Sequence, residues 1–231
     1  TNQAFSSGDE MDFQPMQDIS KLIPFFLEKG VELINLSMFD APSQTRIYNT
    51  LGDEYIRRGR LRDATISFER SNNNAKLTEI GNEYEKMLMF ENAIEVYVKS
   101  NARDRLRIIG DKCTEELKIG GAIRAFTHLG DMDKLNALGQ VCMERQKWDA
   151  ALEIFSSIGN RAKLIELGNQ CCTYPFYEYA GRAFELAGDF VALNKLADEC
   201  LKQGFVQKAK RIYAAAKNEM MVNFIASNYE K

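Results

Sequence analysis

Two stretches of the chain carry the pattern that decides its fold. Residues 135–159 read LNALGQVCMERQKWDAALEIFSSIG, and residues 164–188 read LIELGNQCCTYPFYEYAGRAFELAG. Both stretches have leucine followed by glycine near the start and glycine as the last residue. The seventeenth residue of each stretch is alanine (Ala151 and Ala180), and the twenty-first is phenylalanine (Phe155 and Phe184). The second stretch begins 29 residues after the first. Residue types that recur at a fixed period predict a fold built from one repeated unit.

The same register runs through six consecutive units of 29 residues without an insertion. One column is alanine throughout: Ala64, Ala93, Ala122, Ala151, Ala180 and Ala209. The column four residues later is always aromatic: Phe68, Tyr97, Phe126, Phe155, Phe184 and Tyr213. A third column is small and follows a leucine or isoleucine: Gly52, Gly81, Gly110, Gly139, Gly168, Ala197 and Ala226. Three columns in one register establish an internal repeat.

Each unit contains two amphipathic helices, which we name helix A and helix B. Leu77, Ile80 and Tyr84 are spaced by three and four residues, so they share one face of helix A. Ala93 and Tyr97 do the same on helix B. The turns to the next helix A contain Gly130-Asp131, Gly159-Asn160 and Gly188-Asp189, in which glycine is typical of a left-handed C-cap and Asp or Asn of an N-cap. Such short turns make neighbouring helices antiparallel and predict an all-α solenoid of stacked hairpins.

The pattern resembles the tetratricopeptide repeat. The residues that carry the resemblance in the first full unit are Tyr48, Leu51, Gly52, Tyr55, Ala64, Phe68 and Ser71. The resemblance implies a right-handed α-solenoid with about six regular repeats, whose concave face is lined by helix A and binds peptides. The family's unit is about five residues longer and has a proline after helix B, which is missing here. Compact hairpins of this length are similar to those of clathrin heavy chain, coat subunits and intraflagellar-transport subunits.

The repeat pattern also divides the chain. Residues 1–17 have no periodic apolar face, and we expect a flexible segment there. We expect residues 18–42 to form a degenerate capping hairpin and residues 43–231 to form the solenoid, which ends in an unpaired helix A. Ser43, after Pro42, is a candidate N-cap. The chain begins with Thr1 and stops within a helical pattern, which suggests a piece of a longer protein.

Charge and composition narrow the classes of function. The net charge of −3 argues against a nucleic-acid-binding protein, which needs a basic excess to displace counterions. The basic segment around Arg58 and Arg60 is diluted by acidic neighbours and is predicted to be a solvated turn. The apolar stretches are too short to cross a bilayer. An odd number of cysteines, 5, favours a reducing compartment, and we expect a cytoplasmic protein.

Residues that could carry chemistry are explained by the repeat. Cys113, Cys142, Cys171 and Cys200 occupy one column, in which other units have tyrosine. A metal or disulfide ladder would need shorter distances than the roughly 8–10 Å between neighbouring helices, so these cysteines are predicted to be core residues. His128 is predicted to lie on a solvated face and Trp148 to pack between hairpins. With no catalytic constellation and no phosphate loop, the sequence predicts no enzyme, no metal and no cofactor.

The remaining candidate site is a ladder of polar residues on helix A. Its predicted partner-binding residues are Asn49, Asp53, Asn82, Arg107, Asp111, Asn136, Gln140, Asn169, Asn194 and Asp198. In the tetratricopeptide family the matching positions line the concave face. Side-chain amides can hydrogen-bond the backbone of an extended peptide whatever its sequence. The other interpretation, which stays open, is that the ladder solvates helix A or bonds neighbouring helices.

These observations lead to one principal hypothesis and two alternatives. We expect a non-catalytic scaffold that binds a peptide or partner protein on the concave helix-A face, with no small-molecule substrate. Alternatively, the chain is a structural segment of a longer solenoid in a coat or transport assembly. A regulatory nucleic-acid-binding solenoid is disfavoured by the charge. A further hypothesis is that the chain associates with itself through the exposed ends of the array, at Met221, Phe224 and Ile225.

Overall fold

A computed structural model describes residues 19–173 and 176–229 of the chain. In these residues the regular structure is entirely helical, as the sequence predicts. The first helices are α1 (Ile19–Lys29), α2 (Ala41–Arg57), α3 (Leu61–Arg70), α4 (Asn74–Lys86), α5 (Phe90–Lys99), α6 (Arg103–Glu115) and α7 (Ile119–Leu129). They are followed by α8 (Met132–Glu144), α9 (Trp148–Ser157), α10 (Arg161–Thr173), α11 (Tyr177–Ala187), α12 (Phe190–Lys202), α13 (Val206–Ala215) and α14 (Glu219–Tyr229). None of the described helices has the length and apolar character that a membrane span requires.

The helices form two compact units, one that ends at Ala102 and one that begins at Arg103. Within each unit consecutive helices pack in pairs: α2 with α3 and α4 with α5, then α6 with α7, α8 with α9, α10 with α11 and α12 with α13. Within each compact unit the second helix of a pair also packs against the first helix of the next pair, as α9 does against α10. Helix A therefore corresponds to the even-numbered helices from α2 to α14, and helix B to the odd-numbered ones from α3 to α13. This packing is consistent with a helical solenoid.

Local sequence sets the ends of the helices as predicted. Gly130 and Gly188 have φ angles of 68° and 64°, the left-handed conformation that glycine adopts without a steric penalty. The Asp131 carboxylate after the first glycine accepts a hydrogen bond from the backbone N–H of Lys134 at 3.0 Å. Asp189 caps α12 in the same way. Each turn thus ends one helix and begins the next.

The small-residue column allows close contact between the two helices of a pair. A Cβ atom placed on Gly139 of α8 would lie 2.5 Å from a ring carbon of Phe155 in α9. Gly52 stands in the same relation to Phe68, again at 2.5 Å. These distances are well below a normal carbon–carbon contact of about 3.5–4.0 Å, so the aromatic ring occupies the space that a side chain would take. The alanine column of helix B is fully buried beside these rings.

The amino-terminal region differs in part from the sequence-based expectation. The predicted flexible segment, residues 1–17, lies outside the described residues. In the predicted capping hairpin, α1 is followed by a short 3-10 helix (Val31–Leu33). The prediction that Ser43 caps the following helix is wrong, because α2 begins at Ala41 and Asp40 accepts a hydrogen bond from the Ser43 N–H at 2.9 Å. Pro42 fits inside the first turn, where a backbone N–H has no helical acceptor.

Candidate functional site

The predicted ladder consists of two rows of side chains on helix A. We call Asn49, Arg107, Asn136 and Asn194 the first row. The second row, four residues later on each helix, contains Asp53, Asn82, Asp111, Gln140, Asn169 and Asp198. Arg107, Asn169 and Asp198 are exposed, and the other members are half-buried. Most of these side chains have a hydrogen-bond or ion-pair partner within the same compact group of helices, either the one that ends at Ala102 or the one that begins at Arg103.

The asparagines of the first row bind asparagines that cap the next helix A. Asn136 of α8 accepts a hydrogen bond from Asn160 Nδ2 at 2.6 Å. Asn160 uses its own Oδ1 to accept from the backbone N–H of Lys163 at 3.1 Å, so one side chain caps α10 and joins it to α8. The equivalent pairs are Asn49 with Asn73 at 2.8 Å and Asn194 with Asn218 at 2.6 Å.

Whether the N-cap of a helix A is asparagine or aspartate depends on the first-row residue of the preceding helix A. Where the cap is Asp131 or Asp189, the first-row position on the preceding helix A is Arg107 or Ile165 and not asparagine. A carboxylate can cap a helix but has no N–H to donate, so it cannot make the second bond. The recurrence of asparagine pairs 24 residues apart was therefore a signal in the sequence for repeat-to-repeat bonding.

Lysine and tyrosine side chains engage most of the second row. Lys134 lies 2.6 Å from Asp111, and Lys163 donates to Gln140 at 2.9 Å. These lysines stand 23 residues after their partners, as does Lys76, which lies 3.6 Å from Asp53. The hydrogen bond that Lys76 makes with Glu79 is the first cause of the raised pKa of its amine, and Asp53 adds to the shift.

Where helix B carries tyrosine in the aromatic column, its hydroxyl binds the second row instead. Tyr97 donates to Asn82 at 2.8 Å. Tyr213 donates to Asp198, and burial together with this hydrogen bond raises the pKa of the tyrosine. The two tyrosines therefore combine packing on the small residue with a polar contact that phenylalanine cannot make.

Asn169 departs from this arrangement. The position 23 residues after it is Ala192, which cannot bridge the two helices as lysine does. The Asn169 side chain makes no hydrogen bond within residues 19–173 and 176–229. A pocket of about 590 Å³ opens here between α10 and α12, and its lining includes Asn169, Ala192, Lys195, Glu199 and Gln203.

A short chain of hydrogen bonds joins three of the residues that line this pocket. Tyr177 of α11 is buried and donates its hydroxyl proton to Gln203 Oε1 at 3.0 Å. Gln203 in turn donates from Nε2 to Glu199 at 2.9 Å. Lys195, which also lines the pocket and is exposed, has no ion pair in the described part of the chain. Sequence reasoning missed Lys195 and Gln203, although the alanine in an otherwise mostly basic column marked the place.

The cysteine column is buried, as predicted. Cys113, Cys142, Cys171 and Cys200 are fully buried. Burial raises the pKa of the Cys142 thiol to about 11 and that of Cys171 to about 12. Within residues 19–173 and 176–229, no three His, Cys, Asp or Glu side chains are grouped so that they could hold a metal ion.

Other residues singled out in the sequence lie where the repeat places them. Trp148 is buried and contacts the ring of Phe176 with 6.1 Å between ring centroids, whereas His128 is exposed. Arg58 and Arg60 are paired with Glu54 at 3.0 Å and Asp63 at 2.6 Å, which reduces the positive field of this segment.

No protein-family model matches the sequence, and a search of curated proteins finds no match.

Proposed function

We propose that the chain is a non-catalytic, tetratricopeptide-like scaffold that binds a peptide or partner protein on the helix-A face. In this proposal the 29-residue hairpins follow one another in a right-handed solenoid, and the protein acts in the cytoplasm, which accords with its 5 free cysteines. The observation that carries the proposal is the pocket at Asn169. There Ala192 takes the place of the lysine that contacts the ladder residue in neighbouring repeats, as Lys163 contacts Gln140.

The other members of the ladder are less suited to a ligand. Asn136 receives a hydrogen bond from Asn160 and donates one from Nδ2 to the Met132 carbonyl at 2.9 Å. Asn194 is engaged in the same two ways. A ligand that bound these asparagines would first have to break their existing hydrogen bonds. Each such bond contributes about 0.5–1.5 kcal/mol net, so the new bonds to the ligand would do little more than replace the lost ones.

At Asn169 a ligand can bind without breaking a side-chain bond to any residue in the described part of the chain. The amide offers one acceptor and two donors to a peptide backbone that passes between α10 and α12. The Lys195 ammonium, which has no ion pair among the residues that the structure describes, favours an acidic side chain in that peptide, since a charge-assisted bond is stronger than a neutral one. The pocket volume of about 590 Å³ suffices for one or two side chains. The ligand we propose is therefore an extended segment with an aspartate or glutamate.

A blocking substitution tests this proposal. Random peptides displayed on phage are selected on the chain, and the affinity of enriched peptides is measured by fluorescence polarisation. Ala192→Lys should place an amine next to Asn169, as Lys163 is placed next to Gln140, and fill the pocket. We expect the affinity to fall by about tenfold or more, the loss of roughly 1.4 kcal/mol of binding energy.

The matched control is Ala162→Lys, which adds the same side chain and charge at an exposed position in the first turn of α10. Binding by this variant should stay within about twofold of the original, because the change lies off the proposed face. If Ala192→Lys leaves the affinity unchanged, or if no peptide is enriched, the proposed function is wrong.

A further inference from the structure

Most of the tyrosine hydroxyls that the structure describes are hydrogen-bonded to another side chain. These are the hydroxyls of Tyr48, Tyr97, Tyr177, Tyr179 and Tyr213. The hydroxyl of Tyr84 in α4 differs, because it makes no hydrogen bond within residues 19–173 and 176–229. Tyr84 is nevertheless only 9% exposed. Buried polar groups in proteins almost always have a partner, so an exception of this kind marks a place where a bound molecule can supply one.

Tyr84 lines a pocket of about 400 Å³ that is formed by α3, α4 and α5. In the preceding repeat the equivalent hydroxyl, that of Tyr55, also lacks a partner among the described residues, but it is completely sealed in the core. The Tyr84 hydroxyl is not sealed in this way, so a molecule in the pocket can reach it. The pocket belongs to the compact unit that ends at Ala102, whereas the pocket at Asn169 belongs to the other unit, and neither site depends on the other.

The side chains of this pocket present both a hydrogen-bond donor and an acceptor. Burial raises the pKa of Tyr84, and Glu95 adds to the shift, so the hydroxyl stays protonated and can donate. Thr65, which is buried on the pocket wall, donates its own hydroxyl proton to the Leu61 carbonyl at 2.9 Å, so its oxygen can only accept a further bond. A ligand that satisfies both groups therefore needs an acceptor for Tyr84 and a donor for Thr65.

The charged side chains of the pocket already have partners, which favours a neutral ligand. Lys99 lies 3.0 Å from Glu69 and 3.4 Å from Glu95. Arg62 lies 3.7 Å from Glu32. An anionic ligand would meet the Glu95 carboxylate and a cationic ligand would meet Arg62 and Lys99, and a contact between like charges is unfavourable. A neutral group meets neither obstacle.

We propose that the pocket at Tyr84 binds a primary carboxamide that is carried on an apolar group. The carbonyl oxygen of the carboxamide accepts the Tyr84 hydroxyl proton, and its N–H group donates to Thr65. The apolar group lies against Ile66 and Val96, which line the same pocket. This chemistry is found in small aromatic amides and in the side chain of a glutamine or asparagine of another polypeptide.

Benzamide is the probe for this proposal, because it joins a carboxamide to an apolar ring. Its dissociation constant for the full chain is measured by titration with saturation-transfer difference NMR, and we expect saturable binding. Tyr84→Phe removes only the hydroxyl and should raise the Kd by about fivefold or more, the effect of losing one hydrogen bond. The matched control is Tyr97→Phe, which removes a hydroxyl bonded to Asn82 in the same unit and should leave the Kd within about twofold.

Related compounds test the chemistry without any change to the chain. Benzoate and N,N-dimethylbenzamide lack the N–H donor for Thr65, so each should bind about fivefold more weakly than benzamide or worse. The source of the carboxamide is tested with N-acetylglutamine N-methylamide and, as its control, N-acetylmethionine N-methylamide. Tighter binding of the glutamine compound than of both the methionine compound and benzamide would assign the site to a polypeptide side chain. Tighter binding of benzamide than of the glutamine compound would assign it to a small molecule.

Three results would overturn the proposal. The first is that benzamide does not bind, and the second is that Tyr84→Phe binds benzamide as tightly as the unchanged chain does. The third is that benzoate or N,N-dimethylbenzamide binds as tightly as benzamide, which would show that the ligand needs no N–H donor. Circular dichroism of Tyr84→Phe and Tyr97→Phe verifies that both variants are folded, and the comparison of compounds holds for the unchanged chain in any case.

Discussion

The small-residue column predicts that one substitution, glycine to alanine, has opposite effects at two helical positions. In Gly139→Ala the new Cβ lies 2.5 and 2.6 Å from two ring carbons of Phe155. The ring must retreat by about 1 Å to restore a normal contact distance. In Gly181→Ala, in the interior of α11, the nearest atoms are Leu196 Cδ2 at 3.8 Å and Ile212 Cγ1 at 3.9 Å, which is an ordinary contact.

The expected energies differ by about 2 kcal/mol. Both variants gain about 1 kcal/mol from the higher helix propensity of alanine. Overpacking costs typically about 1–3 kcal/mol, and this penalty applies only at Gly139. We therefore expect Gly181→Ala to raise the free energy of unfolding by about 1 kcal/mol and Gly139→Ala to lower it by about the same amount.

The assay is urea unfolding followed by circular dichroism, with hydrogen exchange to show that the effect of Gly139→Ala is confined to α8 and α9. Replacing Phe155 with leucine should relieve the overlap, so the cost of Gly139→Ala in that background should fall by about 1 kcal/mol. If Gly139→Ala stabilises the chain as much as Gly181→Ala does, the ring does not need the space that we assign to it, and the interpretation of the column is wrong.

Three further predictions follow from particular residues. Leu117 has a φ angle of 57° and is 45% exposed, so Leu117→Gly should stabilise the chain by about 0.5–1 kcal/mol in urea unfolding. The control is Leu186→Gly, inside α11 and 50% exposed, which should destabilise the chain by about 1 kcal/mol. Equal effects of the two substitutions would contradict this prediction. Asn160→Asp keeps the cap of α10 but loses the bond to Asn136, and it should cost about 1 kcal/mol that disappears in an Asn136→Ala background, whereas an unchanged stability would show that the bond contributes nothing. Cys172 is half-buried while the other cysteines are fully buried, so a thiol reagent should label one site per folded chain and none after Cys172→Ser. Because burial raises the pKa of Cys172, its labelling rate should still increase with pH above its ordinary pKa of 9.0, and rapid labelling of a second thiol would refute the burial.

Much of the fold was predictable because it depends on neighbours in the sequence. Helix periodicity, the Gly130-Asp131 turn and its equivalents are local features, and the structure has them where the pattern places them. The one incorrect cap shows the limit of such reasoning. Asp40 and Ser43 are both good N-cap residues, and the choice between them depends on whether Pro42 is inside or outside the helix.

The candidate site was predictable as a set of positions but not as a set of free side chains. The sequence showed that Asn136, Gln140 and Asn169 share one face of helix A. It did not show that Asn136 and Gln140 are bound by Asn160 and Lys163, because this depends on the distance between helices that are some 23 or 24 residues apart in the chain.

The sequence by itself determined the repeat, the pairing of helices and the burial of the aromatic and cysteine columns, because each follows from a periodic pattern of apolar and small residues. Only the tertiary structure decided which polar groups satisfy one another across neighbouring helices. It thereby distinguished Asn169, which has no side-chain partner among the described residues, from the rest of the ladder. The physical reason is that a hydrogen bond requires atoms within about 3 Å of each other, and the repeat pattern fixes positions along a helix but not the distances between helices.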